Sequence, residues 1–275
     1  MKTSSILLIG ESGVGKTHYG AQVLKRLMKG DGRLRMDGAA TNLEPFEAAM
    51  ESLNEGMAAG HTATTTYVES VWPIIDTSGN KAELVWPDYG GEQVRAVSAS
   101  RRIPAPWRAR LISAPAWLLL IRLQQTRASD DVFSRPLNAL KGMGTDNREV
   151  QLSDQARLIE LLQMLVYVRG AISDEPLGSP KLCVLLSCWD ELETDDQPLA
   201  VLKHRLPMLA SFVTSTWAAP SLFGLSALER PLSPRERDME YAARGPEHFG
   251  YVVLPDGQRS TDLTLPIQEL LAGGS

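Results

Sequence analysis

The residues Gly10-Glu11-Ser12-Gly13-Val14-Gly15-Lys16-Thr17 directly follow the apolar run Ser5-Ile6-Leu7-Leu8-Ile9. They fit G-x-x-x-x-G-K-[ST] placed between a strand and a helix, the context that this motif needs. Gly13 and Gly15 let the backbone bend until successive N–H groups face one point. With the helix N-terminus they make an anion cradle, to which Glu11, Ser12 and Val14 also belong. Lys16 brings a point charge to the β- and γ-phosphates, and Thr17 brings a hydroxyl to Mg²⁺. A nucleoside triphosphate with magnesium is the expected occupant, and the loop alone does not choose between ATP and GTP. His18 comes next in the helix and is counted with the nucleotide-binding residues, although packing or exposure is its plainer reading.

A second acidic site follows in Leu84-Val85-Trp86-Pro87-Asp88-Tyr89-Gly90-Gly91-Glu92-Gln93. Asp88 at a strand end, followed by D-x-x-G spacing, looks like the third motif of GTPases. There Asp88 would hold Mg²⁺ through a water, and the Gly91 N–H would contact the γ-phosphate. A threonine should precede it across a hairpin. The position of the Ras-like pattern is Thr66, in the run Thr62-Ala63-Thr64-Thr65-Thr66, with Thr64 and Thr65 fitting nearly as well. Its hydroxyl would reach Mg²⁺ and its N–H the γ-phosphate, and hydrolysis would release both.

Two later stretches bear on the base. Leu185-Leu186-Ser187-Cys188-Trp189-Asp190 sits where GTPases carry Asn/Thr-Lys-x-Asp. A carboxylate at Asp190 accepts from the guanine ring N–H and amino group, each charge-assisted bond contributing roughly 1.5–3 kcal/mol. Adenine would present a lone pair there instead. Ser187 can replace the threonine, whereas Cys188 replaces a lysine that normally packs along the base. Leu225-Ser226-Ala227-Leu228 resembles the fifth motif, whose backbone contacts the guanine oxygen. A competing reading takes Cys183–Leu186 with Asp190-Glu191 as the Walker B element of an ATPase. Against it, three residues separate the apolar run from the acid.

In this order the features resemble the translation-factor-like (TRAFAC) class of P-loop GTPases. Within that class, the Asp-x-Gly-Gly-Glu and Ser-x-Trp-Asp variants and the large insertions resemble the double-GTPase domains of bacterial conflict, or antiviral defence, operons. The resemblance covers residues 4 to 229 and the last helix. It implies GTP and GDP as ligands, Mg²⁺, and a switch that works beside a second GTPase or an effector and signals infection. Glu92 takes the place of the glutamine that orients water in Ras-like and Arf-like proteins. A carboxylate near the γ-phosphate repels it by about 1–4 kcal/mol at ~4 Å in wet surroundings. Slow hydrolysis is therefore expected, with Gln93 a second candidate for orienting the water. Arg95, Arg101, Arg102, Arg108 and Arg110 follow, most simply a solvated basic face, with an arginine finger as the alternative.

The elements that must position these residues follow from periodicity. Short apolar runs at 4–9, 116–123, 181–187 and 221–225 read as buried strands, and a hairpin spans 67–86. Helical spacing marks 16–28, 42–54, 156–168, 198–213 with Pro207 inside, and 264–271. This alternation implies a three-layer α/β sandwich: a mostly parallel sheet with one antiparallel edge strand from the hairpin, and helices on both faces. One domain over 1–275 is expected, with insertions near 31–65, 124–152 and 230–262. The 275 residues can bury a sizeable core, and a net charge of −5 speaks against nucleic-acid binding. No apolar run approaches the ~20 residues of a membrane span. The two cysteines, Cys183 and Cys188, suit a reduced cytoplasmic protein, and the four histidines lack zinc spacing.

Overall fold

A computed structural model describes residues 4–30, 32–60, 68–88, 91–126 and 153–271. One sheet of nine strands organises them, in the order β2 (Leu34–Met36), β3 (Val68–Asp76), β4 (Lys81–Asp88), β1 (Ser4–Gly10), β5 (Ala116–Arg122), β6 (Lys181–Ser187), β7 (Ser221–Ser226), β8 (Tyr251–Val253) and β9 (Arg259–Ser260). Its centre is parallel: β4 (Lys81–Asp88), β1 (Ser4–Gly10), β5 (Ala116–Arg122), β6 (Lys181–Ser187) and β7 (Ser221–Ser226). These strands read as continuous apolar runs because both of their faces are covered. Ile6 and Leu8 of β1, Leu118 and Leu120 of β5, and Cys183 and Leu185 of β6 point into one core. Leu7 and Ile9, Trp117 and Leu119, and Val184 and Leu186 point into the other.

The first core is closed by α1 (Lys16–Lys29), α2 (Glu44–Asn54) and α9 (Leu265–Leu271), with Tyr19, Val23, Leu24 and Leu27 as the inner face of α1. The second lies under α3 (Gly91–Ser100), α4 (Ala105–Ser113), α5 (Asp154–Arg169), α6 (Pro198–Arg205) and α7 (Pro207–Thr216). Leu158, Leu161, Leu162 and Leu165 are the buried stripe of α5. The expected sandwich is thus present, down to the antiparallel hairpin strand β3 (Val68–Asp76) beside β4.

Several details differ from the sequence expectation. β3 is not the outermost strand, because β2 (Leu34–Met36) pairs antiparallel along it. The opposite edge gains β8 (Tyr251–Val253) and β9 (Arg259–Ser260), both antiparallel, and with α8 (Met239–Arg244) they give structure to a stretch expected to be irregular. The helices α3 and α4 occupy a region with no expected element. Pro207 divides 198–213 into two helices: it has no N–H for the preceding turn, and Leu206 before it leaves the helical region at φ −136°, ψ 66°.

Candidate functional site

The carboxyl ends of β1, β5, β6 and β7 converge, the place where open α/β sheets receive ligands. A cavity of about 360 Å³ opens there. Its floor is the loop between β1 and α1, its far wall the turns after β6 and β7, and its near rim residues 58–60.

The loop has the backbone that its glycines permit. Gly13 and Gly15 take φ of 77° and 80°, the left-handed region that a β-carbon disfavours. Lys16 opens α1, and its Nζ donates to the carbonyls of Gly10 at 2.8 Å and Glu11 at 2.6 Å. Ser12, Thr17 and His18 line the cavity. The Glu11 side chain turns to the outer face of the loop and pairs with Arg157 of α5. His18 Nε2 accepts from the Ala59 N–H at 3.0 Å, so the imidazole ties α1 to the near rim. Burial, then the Arg122 charge, pushes the His18 pKa down, which keeps the accepting nitrogen unprotonated.

On the far wall Cys188 adopts φ 53°, and the chain then turns through a 3-10 segment, Trp189–Leu192. Trp189 is 1% exposed. A β-carbon on Gly224 of β7 would stand 2.5 Å from its ring, so the glycine admits the indole against the sheet. Trp189 is therefore part of the core. The turn brings Asp190 to the end of β7, where Ser226 Oγ donates to Asp190 Oδ1 at 2.5 Å. The Glu229 N–H in turn donates to Ser226 Oγ at 3.0 Å. Ala227 and Leu228 line the cavity beside them. Ser187 Oγ is buried at its wall with no hydrogen-bond partner among the described residues. Burial pushes the Cys188 thiol up to about 12, so it stays protonated at neutral pH.

Asp88 closes β4 opposite Val68, on the strand next to β1. Gly91, Glu92 and Gln93 form the first turn of α3. Thr66, with Thr64 and Thr65, lies outside the described residues, as do Tyr89 and Gly90. Among the described residues no cluster of three or more His, Cys, Asp or Glu could hold a metal. The donor set fits Mg²⁺ of the kind held by one or two protein oxygens, substrate phosphates and water, with Thr17 at the cavity. Of the downstream arginines, Arg101 pairs with Glu160 at 2.7 Å and Arg110 with Glu69.

Three features of the site were not read from the sequence. Arg122, the last residue of β5, donates from Nη1 to the Gly13 carbonyl at 3.1 Å and pairs with Glu191. Residues 58–60 and Arg230 complete the rim. A charged residue ending an apolar strand was the one available signal, and only for Arg122. The pairing also bears on the Walker B alternative: Glu191 is engaged by Arg122 and Asp190 by Ser226, both beyond the tip of β6.

A glycine loop between a strand and a helix, facing a carboxylate turn at the carboxyl edge of a mostly parallel sheet, defines a P-loop nucleotide-binding protein. A profile of the family described as Double-GTPase 1 matches residues 7–270, and the chain belongs to that family. By that description the family is one of GTPases. No curated protein sequence matches it. Among solved structures it is similar to the Methanosarcina barkeri Roco2 RocCORdC bound to GDP, at 14% identity and TM-score 0.32 over 89% of this chain and 48% of that one. It is also similar to the signal recognition particle receptor SRb-GTP/SRX complex from Chaetomium thermophilum, at 14% identity and TM-score 0.39, over 85% of this chain and 94% of that one. For the Saccharomyces cerevisiae Ski7 GTPase-like domain bound to GTP the values are 12% and 0.41, over 86% and 46%. The chain thus spans about half of the first of these structures. No helix among the described residues is long and apolar enough to cross a membrane.

Proposed function

We propose that the protein is a GTP-binding switch that hydrolyses GTP slowly. The observation that carries this reading is the hydrogen bond from buried Ser226 to Asp190, which lines the same cavity as Lys16 and Thr17. It fixes a carboxylate where it can accept from the two donors on the guanine edge, opposite an anion cradle. In this reading the main chain of 11–18 and the Lys16 ammonium hold the phosphates, and Ser226, Ala227 and Leu228 close on the base. Cys188 lies beside it. Thr17, Thr66 and Asp88 hold Mg²⁺, which when bound neutralises phosphate charge. The Gly91 N–H reports the γ-phosphate, and Glu92 or Gln93 faces the attacking water.

The family and the fold of the chain support a single nucleotide-binding domain across its length. The Double-GTPase description and the resemblance to conflict-operon domains support a role beside a second GTPase or an effector, in bacterial defence and in the cytoplasm. Titration with labelled GTP and ATP, with and without Mg²⁺, on wild type and Asp190→Ala tests the reading. GTP preference that collapses in the variant is the expected result; equal affinity for both bases in both proteins overturns it. Single-turnover hydrolysis then separates a slow GTPase from a scaffold without turnover.

A further inference from the structure

Cys188 stands where the resembled GTPase pattern carries a lysine. Its thiol lies next to the glycine loop: a β-carbon on Gly15 would be 3.9 Å from its Sγ. The turn after β6 therefore brings no cation of its own to this part of the cavity. A cation arrives there from the neighbouring strand. Arg122 ends β5, in register with Ser187 of β6. Its Nη1 donates to the Gly13 carbonyl at 3.1 Å. Its Nε donates to Glu191 Oε2 at 2.9 Å, and its Nη2 donates to Glu191 Oε1. One planar group thus joins the glycine loop to the turn that carries Asp190. Its side chain is 27% exposed and lines the same cavity as Lys16 and Asp190.

An isolated ion pair at such exposure contributes little to stability. A forked pair with a third bond to a main-chain carbonyl does something else: it fixes the plane of the guanidinium. A planar, weakly hydrated cation is suited to lie along an aromatic base, which a lysine can do only as a point charge. It also holds the two halves of the cavity at a set separation before the ligand arrives, which lowers the ordering cost of binding.

We infer that Arg122 is the positioning residue for the guanine nucleotide, taking from β5 the place of the lysine absent at 188. It ties the phosphate loop to the base-reading turn and lays a flat cation along the purine, with Glu191 holding it in plane. The inference rests on Asp190 as the base reader.

The test is calorimetric titration of GDP and ADP, with Mg²⁺, into the full chain. Arg122→Ala should weaken GDP about 10- to 100-fold, the loss of a charged hydrogen-bonding group, with the melting temperature of the ligand-free protein close to wild type. Adding Cys188→Lys to Arg122→Ala should restore most of that affinity. Cys188→Lys alone should weaken binding, because two cations then crowd one place. That sign reversal between backgrounds is not expected of a merely structural ion pair. GDP affinity of Arg122→Ala within about twofold of wild type overturns the proposal, as does a loss in a well-folded variant that Cys188→Lys leaves unrestored. Should Arg122→Ala not fold, Glu191→Ala decides: weaker GDP binding supports the role, and unchanged binding overturns it. Asp190→Ala in the same series keeps the two readings apart. If it leaves the GDP-over-ADP preference intact, the base-reader assignment fails whatever Arg122 does.

Discussion

Ser226 and Asp190 lie 36 residues apart in the chain, yet their side chains meet at 2.5 Å across the ends of β6 and β7. The contact is made possible by register. Ser187 of β6 pairs with Leu225 of β7, so the turn beyond the first strand descends onto the end of the second. Ser226 thereby uses its hydroxyl proton on Asp190 and its lone pair on the Glu229 N–H. Removing the hydroxyl frees the carboxylate to rotate and leaves a main-chain donor without its acceptor. Ser226→Ala should weaken GDP binding by about 1.5–3 kcal/mol, the range for a hydrogen bond to a charged group, with ADP binding much less affected. Parallel titration of both nucleotides checks this, and equal losses for the two would remove Ser226 as an orienter of the base reader.

Gly224 gives a prediction that couples stability to binding. A methyl group there would meet the ring of the buried Trp189 at 2.5 Å, so the strand or the indole must shift to admit it. Gly224→Ala should destabilise the fold by about 1–3 kcal/mol, the usual cost of overpacking. Because Asp190 follows Trp189 directly, GDP affinity should fall as well. Thermal melting and GDP titration of one sample read both effects, and a stable variant with normal affinity would contradict the packing account.

Glu92 bears on turnover through charge. If its carboxylate stands near the γ-phosphate, Glu92→Gln should accelerate single-turnover GTP hydrolysis about tenfold, which is about 1.4 kcal/mol of relieved repulsion. Gln93→Ala is the companion measurement. Should Glu92→Gln instead lose most of the activity, the repulsion argument is wrong and the carboxylate serves the reaction.

The His18 imidazole makes part of the stability depend on pH. Its pKa in the folded protein lies below the ordinary 6.5, so the unfolded chain binds the proton more readily. Stability from this group is complete above pH 6.5 and falls as pH drops from there toward the lowered value. Protonation also removes the acceptor for the Ala59 N–H. His18→Gln, which retains an acceptor but does not titrate, should lose less melting temperature than wild type between pH 7.5 and pH 5.5. Identical losses would show that His18 is not the group responsible.

The parts of the fold and site that were legible in the sequence are those written in contiguous residues. The β1–loop–α1 unit is a local motif whose glycines, lysine and threonine carry their own geometry. β6 and β7 are apolar runs with their acid and serine directly after them. The helices α3 and α4 were not legible, because their buried residues Val94, Val97, Trp107 and Leu111 are sparse among exposed alanines and Arg108. Packing against the sheet, rather than amphipathic spacing, holds them helical. The segment from 239 to 253 hid for a similar reason: Tyr241 and Phe249 stack at 4.1 Å over Ala21 and Leu53, which are distant in the chain. Arg122 showed only as a charge ending an apolar strand, because its partners, Gly13 and Glu191, are 109 and 69 residues away.

The near rim of the cavity is stitched to a remote part of the chain. The Asp238 N–H donates to the Gly56 carbonyl at 2.9 Å, the Ala58 N–H donates to the Ser233 carbonyl at 3.0 Å, and Arg237 pairs with Glu55 at 2.9 Å. A doorway sewn to 233–238 in this way transmits any pull on that outer strip directly to the threshold.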